Sequence, residues 1–312
     1  MRELNNPSKW GKLLTALVTP FKDDNTLNVK ELERIAQYVV EEQQNDGIVL
    51  SGSTGESPIL SEEEKLLALE VVLKTVGDQA IVLFGAGSYD TAASVKLTQK
   101  AEKKGAHGIM LVNPCYNRPG QRGLIAHFST ICKATSLPVM LYNIPGRTAI
   151  NLEIPTLLTL IETCPNLVAL KEASGNINQI SECCRQVPEH FKVYSGDDSL
   201  ALPTLSVGGY GLVSVVAHVA GKQIKQMLEF FPENPRLAKD LHHQLFPVFS
   251  GLFMAPNPVP VKYALSLKGF DCERVRLPLV SLLESEKKEV RHALECIEKT
   301  ELSCLNPVTP NS

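Results

Sequence analysis

The sequence predicts an α/β protein, a (β/α)8 TIM barrel followed by a C-terminal helical extension, and three observations carry that prediction. Eight short runs dominated by apolar and β-branched residues recur before residue 220. Each is continuous rather than alternating, the mark of parallel strands covered by helices. Between them lie longer stretches with apolar residues three or four apart and Lys or Glu elsewhere, as amphipathic helices require. Glycines, aromatic residues and polar groups gather just after many different runs. That suits a ring of βα loops better than the single crevice of a doubly wound open sheet.

The first strand is read over residues 13–21 (LLTALVTPF) and the second over 47–52 (GIVLSG), with a helix over 29–43 between them. A helix over 61–76 leads to the third strand, 80–87 (AIVLFGAG), and one over 90–104 to the fourth, 108–114 (GIMLVNP). The fifth strand is 138–145 (PVMLYNIP). After it a helix over 152–163 puts Leu157, Leu158, Leu160 and Ile161 on one core-facing stripe. Strands six to eight are 167–173 (LVALKEA), 192–198 (KVYSGDD) and 211–217 (GLVSVVA). The strand pattern then stops. Residues 1–220 are therefore assigned to the barrel and 221–300 to helices broken by APNPVPVK and RLP, while 301–312 reads as a flexible tail.

Composition narrows the function classes. A net charge of −3 disfavours nucleic acid or an anionic membrane surface as the main partner, since both select a basic face. The apolar run GLVSVVAHVA is half the ~20 residues that a membrane span needs. The opening MRELNNPSKWGK lacks the apolar core of a signal peptide, which points to the cytoplasm. The eight cysteines form no CxxC pair and none lies near His242-His243, so free thiols are expected rather than disulfides or a zinc site.

In a barrel, functional groups sit at the C-terminal ends of the strands. GAGSYD (85–90) resembles half of a dinucleotide fingerprint, but the third glycine is absent, and cofactor binding is not expected. The acidic pair in SGDD (195–198) has no His or third acid beside it and reads as a solvated turn or helix cap. Lys171 is more informative, because it interrupts an apolar strand. Its neighbours on the same strand face, Ala169 and Ala173, leave a long side chain room inside a barrel. Burial without a counter-charge favours the neutral amine, which attacks ketones to form Schiff bases. The competing reading is a lysine paired with Glu172 or Asp197, and spacing alone does not separate the two. GSTGES (52–57) offers adjacent hydroxyls and backbone N–H groups that could cradle a carboxylate, or simply cap a helix. YNIPGRT (142–148) brings a phenol and a guanidinium around a Pro-Gly turn, suited to proton relay and to a carboxylate clamp. Its plainer reading is a core tyrosine and a surface arginine.

Taken together, GSTGE, YNIPGRT and ALKEASGN resemble the pyruvate-dependent class I aldolase superfamily and, within it, the dihydrodipicolinate synthase family. The match runs in order from TALVTPF through NPCYNRPG and YSGDD to APNPVPVK and RLP, nearly the whole chain. The resemblance implies that Lys171 forms a Schiff base with pyruvate. It implies that Tyr142 moves protons, linked through Ser53 to a Tyr116 supplied by a neighbouring subunit and supported by Arg118. Thr54 would hold the pyruvate carboxylate, and Arg147 that of the second substrate, L-aspartate 4-semialdehyde. Gly196 and the Val213 carbonyl would lie beside the substrates. No metal or organic cofactor is implied, and the assembly would be a homodimer or homotetramer.

Two positions depart from the family pattern: Ser53 stands where many members have Thr, and Cys115 where many have a second tyrosine. The first keeps the hydroxyl; the second bears on interface packing. N-acetylneuraminate lyases and 2-keto-3-deoxy sugar acid aldolases share the lysine and tyrosine, but Arg147 and YNRP favour the synthase. A non-catalytic keto-acid sensor would be expected to lack Lys171 or Tyr142, and both are present. Members inhibited by lysine bind it through His, Asn, Glu and Tyr side chains at the dimer interface. The matching positions here are Glu62 and Lys65, Tyr89, Ala93 and Cys115, so lysine is expected to inhibit weakly or not at all. Two acids work against this expectation: Glu62, placed to offset Lys65, and Asp90, one turn before Ser94, placed to approach from the other side.

Overall fold

The computed structural model describes residues 7–305 and contains a closed barrel of eight parallel strands, each paired with its sequence neighbours and β8 with β1. The strands are β1 (Leu13–Ala16), β2 (Gly47–Leu50), β3 (Ile81–Gly85), β4 (Gly108–Val112), β5 (Val139–Asn143), β6 (Leu167–Glu172), β7 (Lys192–Ser195) and β8 (Gly211–Ser214). All eight expected strands are present, and each is shorter than the apolar run that announced it. Leu17, Val18 and Phe21 illustrate why: they are buried, but lie after β1 has left the sheet.

The barrel helices are α1 (Val29–Glu41), α2 (Glu62–Val76), α3 (Thr91–Lys103), α4 (Gln121–Cys132), the single turn α5 (Pro145–Thr148), α6 (Ile154–Thr163), α7 (Ile177–Gln186) and α8 (Ala201–Ser206). Local chemistry fixes several starts. Ser61 and Glu64 form a reciprocal capping box on α2, and the Asp90 carboxylate accepts from the Ala92 and Ala93 N–H groups at the head of α3. Beyond the barrel come α9 (Ala217–Phe230), α10 (Pro235–Gly251), α11 (Val259–Leu267) and α12 (Glu284–Leu305). Breaks come before and after α11; RLP lies in the second, but only the APNP half of APNPVPVK lies in the first, since VPVK opens α11 itself. Of the expected tail, residues 301–305 continue α12 and the remainder lies outside the described residues. Among the described residues, no helix is long and apolar enough to cross a membrane.

Strand alternation divides the core in two. Leu14, Val49, Leu83, Met110, Met140, Tyr142, Ala169, Tyr194 and Val213 fill the barrel, while Leu13, Ile48, Val82, Leu111, Leu141, Leu170 and Leu212 face the helices. Tyr194 closes the lower end, its hydroxyl donating to the Gly11 carbonyl at 2.8 Å. The glycines of GAGSYD serve this packing: a Cβ on Gly85 would lie 2.4 Å from the Ser51 carbonyl oxygen. The cysteines whose side chains are described (115, 132, 164, 183, 184 and 272) are all free thiols.

Candidate active site

Lys171, Tyr142, Thr54, Gly196 and Val213 lie at the C-terminal mouth of the barrel. Lys171 and Tyr142 are the penultimate residues of β6 and β5 and are direct register partners. Both point inward and are buried, with the Lys171 Nζ 4.1 Å from the centre of the Tyr142 ring. Among the described residues Lys171 has no ion pair. Glu172, one residue on, faces away from the barrel interior: it accepts from Asn143 Nδ2 at 2.9 Å, from Gln179 Nε2 at 3.2 Å and from the Ser174 N–H at 2.6 Å. Asp197 is likewise committed, accepting from the Ser199 N–H and hydroxyl. Neither acid neutralises Lys171, which removes the paired-lysine reading.

Gly196 explains how the lysine fits. A Cβ there would lie 3.0 Å from both Cγ and Cε of Lys171 and 2.8 Å from the Ala173 Cβ. The absence of a side chain at Gly196 is what lets the amine extend across the mouth. Ala169 shares the interior face, as the small-neighbour argument required.

The turn after β2 holds Ser53 and Thr54. Ser51 and Glu56 adopt left-handed φ of 55°, and the Glu56 and Ser57 N–H groups return to the Ser53 and Gly52 carbonyls. That curl leaves the Ser53 and Thr54 N–H groups without an acceptor among the described residues. Thr54 is buried and its Oγ1 accepts from Asn257 Nδ2 at 2.9 Å. Behind the turn, Lys262 of α11 donates to Glu56 at 2.7 Å with both side chains buried. Burial is the main influence on Lys262 and pulls its pKa down, while Glu56 pushes it back up. Sequence reasoning missed Asn257 and Lys262, which lie more than 200 residues away along the chain from their partners.

Two further buried groups shape the rim. Asp198 is not the solvated residue expected. Its carboxylate accepts from the Ser214 hydroxyl and from the Val215 and Val216 N–H groups, and burial raises its pKa to about 6. Its neighbour Asp197 does cap the short helix that follows, as read. His218 accepts from the Val18 N–H at Nε2 and meets the Val215 carbonyl at Nδ1. Burial lowers its pKa to about 4, so the neutral ring ties the loops after β1 and β8 together.

Arg147 lies on α5 at the mouth, exposed and without an ion pair among the described residues. Val213 is the penultimate residue of β8 and faces the barrel interior. The Ser53 and Tyr142 hydroxyls form no hydrogen bond with each other or with any other described residue. Tyr116 is 96% exposed with a left-handed φ of 61°, and the exposed Arg118 is also left-handed. The single chain thus does not bring Tyr116 to Tyr142.

A buried, unpaired lysine beside a tyrosine at the top of a parallel barrel defines a class of protein: barrels equipped for imine chemistry on a carbonyl compound. The chain belongs to the dihydrodipicolinate synthetase family, whose model matches residues 9–297. A 4-hydroxy-tetrahydrodipicolinate synthase of Desulforamulus reducens is 52% identical over 286 residues, covering 91% of this chain and 96% of the relative. The crystal structure of DHDPS from Cyanidioschyzon merolae with lysine bound superposes with a TM-score of 0.91 at 41% identity, covering 93% of this chain and 98% of that one. Dihydrodipicolinate synthase from Acinetobacter baumannii, chloride-inhibited and complexed with pyruvate, gives a TM-score of 0.89 at 33% identity, covering 93% and 99%.

Proposed function

We propose that this protein is a cytoplasmic lyase of lysine biosynthesis that condenses pyruvate with L-aspartate 4-semialdehyde to give 4-hydroxy-tetrahydrodipicolinate. The carrying observation is the unpaired Lys171 amine, buried beside Tyr142 in a chain of this family. Lys171 attacks the pyruvate ketone; water leaves and an imine forms. The imine draws electrons from the adjacent methyl, which loses a proton to give an enamine. That carbon attacks the aldehyde. The substrate's own amine then displaces Lys171 as the ring closes. Tyr142 carries protons in these steps, and Thr54 and the free N–H groups of its turn hold the pyruvate carboxylate. The Val213 carbonyl and the open face of Gly196 border the reacting carbons.

Arg147, uncommitted at the rim, receives the carboxylate of the second substrate. Arg147→Ala is expected to lower kcat/KM for aspartate semialdehyde by about ten- to a hundredfold, the worth of a bidentate charge-assisted contact. Borohydride trapping of pyruvate should persist in that variant. Unchanged kinetics with aspartate semialdehyde, tested beside N-acetylneuraminate and sugar keto acids, would favour a sugar-acid aldolase.

The exposure and left-handed backbone of Tyr116 suit a residue presented to another subunit in a homodimer or a dimer of dimers. Two inactive variants, Tyr116→Phe and Lys171→Ala, should therefore regain activity when mixed, since one hybrid site has every group intact. If subunit exchange is verified and no activity returns, Tyr116 does not act across the interface.

Lysine is expected to inhibit weakly or not at all. Glu62 is tied to Lys100, and Ala93 offers no carboxylate for a ligand ammonium. Lys65 places a second cation nearby, a repulsion of ~1 kcal/mol at 4 Å in water. Asp90 does not compensate, because its carboxylate caps α3, while the buried Ser94 hydroxyl is held by Ser88. Initial rates against millimolar L-lysine, with both substrates near their KM, test this; strong inhibition below millimolar would refute it.

A further inference from the structure

We propose that Asn257 is a positioning residue for keto-acid binding: it occupies the acceptor side of the Thr54 hydroxyl so that the hydroxyl proton is aimed at the substrate carboxylate. This rests on the assignment of Thr54 to the pyruvate site. A threonine hydroxyl has one proton and two lone pairs, and its rotation is free unless a partner fixes it. Asn257 Nδ2 donates to Thr54 Oγ1 at 2.9 Å. With that lone pair engaged, the hydroxyl proton is directed away from Asn257, which leaves it for a carboxylate held by the adjoining N–H groups.

The surroundings argue for function over scaffolding. Asn257 is 8% exposed and Thr54 1%, so water competes poorly for either group. The Thr54 hydroxyl is the only described partner of the Asn257 side chain, and Oδ1 is buried without one. Buried amides that serve structure alone are normally satisfied at both ends. The amide is also delivered firmly. Asn257 sits just before α11, and Lys262 on that helix is anchored to Glu56 and to the Thr19 carbonyl, in the adjoining loops after β2 and β1. The C-terminal helical region thereby sets the geometry of a turn that follows β2.

The test titrates pyruvate against borohydride trapping on Lys171, which needs no second substrate. Asn257→Ala should raise the pyruvate concentration for half-maximal trapping by about tenfold, as expected for one charge-linked hydrogen bond. The isosteric Asn257→Asp should do so at least as strongly, because an oxygen at that place captures the hydroxyl proton and adds a negative charge beside a carboxylate. It decides the matter alone should the alanine variant fail to fold. In a Thr54→Val background, which lacks the hydroxyl, adding Asn257→Ala should change half-saturation less than twofold beyond Thr54→Val itself. A general packing role would not vanish in that way. Unchanged half-saturation in folded Asn257→Ala and Asn257→Asp would overturn the proposal, and so would a full tenfold effect surviving in the Thr54→Val background. Wild-type protein that traps no pyruvate would instead overturn the Schiff-base reading.

Discussion

Lys171→Ala is expected to abolish trapping of pyruvate by borohydride and to lower turnover by about 10³-fold or more, because the covalent route then has no nucleophile. Among the described residues only two lysines are buried, Lys171 and Lys262. Lys262 cannot substitute: its amine is engaged by Glu56 and by the Thr19 carbonyl. The Lys171 amine lies against the face of Tyr142 and has no ion pair among the described residues, so attack on a ketone breaks none. In wild-type protein the reduced adduct should map to a peptide containing residues 168–176. An adduct on a different lysine, or one that persists in Lys171→Ala, would show that the imine forms elsewhere. Far-UV circular dichroism distinguishes loss of chemistry from loss of fold. The substitution removes a four-carbon stem packed between Tyr142 and Gly196, so a modest fall in thermal stability should accompany it.

How much of this was legible in the sequence depends on the range over which each signal acts. Strand and helix identities are local, and 29–43, 61–76, 90–104 and 152–163 correspond to α1, α2, α3 and α6 within two residues at each end. Strand ends were less legible, because the apolar run LLTALVTPF stays buried after β1 has left the sheet. At the site, Lys171, Tyr142 and Thr54 were visible because each breaks an apolar or Gly-rich pattern at a strand end. The state of Lys171 was not. Whether Glu172 neutralises it depends on Asn143 and Gln179, which arrive from β5 and α7. Asp198 looked solvated for a similar reason, its partners being contributed by Ser214, Val215 and Val216. Asn257 and Lys262 carry no local sign of their roles, since both act through contacts that only the closed fold creates.

The second large effect is expected at Lys262. Its amine and the Glu56 carboxylate are 2.7 Å apart with side chains 0% and 1% exposed. Such a pair adds little net stability compared with apolar residues of the same volume, because desolvation offsets the attraction. Breaking it is another matter. Lys262→Ala leaves the Glu56 carboxylate buried with the Arg276 N–H as its remaining described partner, at 3.3 Å, and opens a cavity beside Phe21, whose ring centre lies 4.5 Å from the amine. A cost of ~3–5 kcal/mol is expected, lowering the thermal midpoint by on the order of 10 °C. Lys262→Met keeps most of the volume but still strands the charge, so it should lose nearly as much. Adding Glu56→Gln to Lys262→Met removes the stranded charge while keeping an acceptor for the Arg276 N–H. Most of the lost stability should then return, short of a remainder of about 1 kcal/mol from the Thr19 carbonyl, which loses the Lys262 N–H. If Lys262→Met alone melts within ~2 °C of wild type, the pair is not what holds α11 to the turn after β2. If the double variant regains stability yet still binds pyruvate weakly, the charges serve the turn's geometry rather than the fold, since Glu56 lies only two residues beyond Thr54.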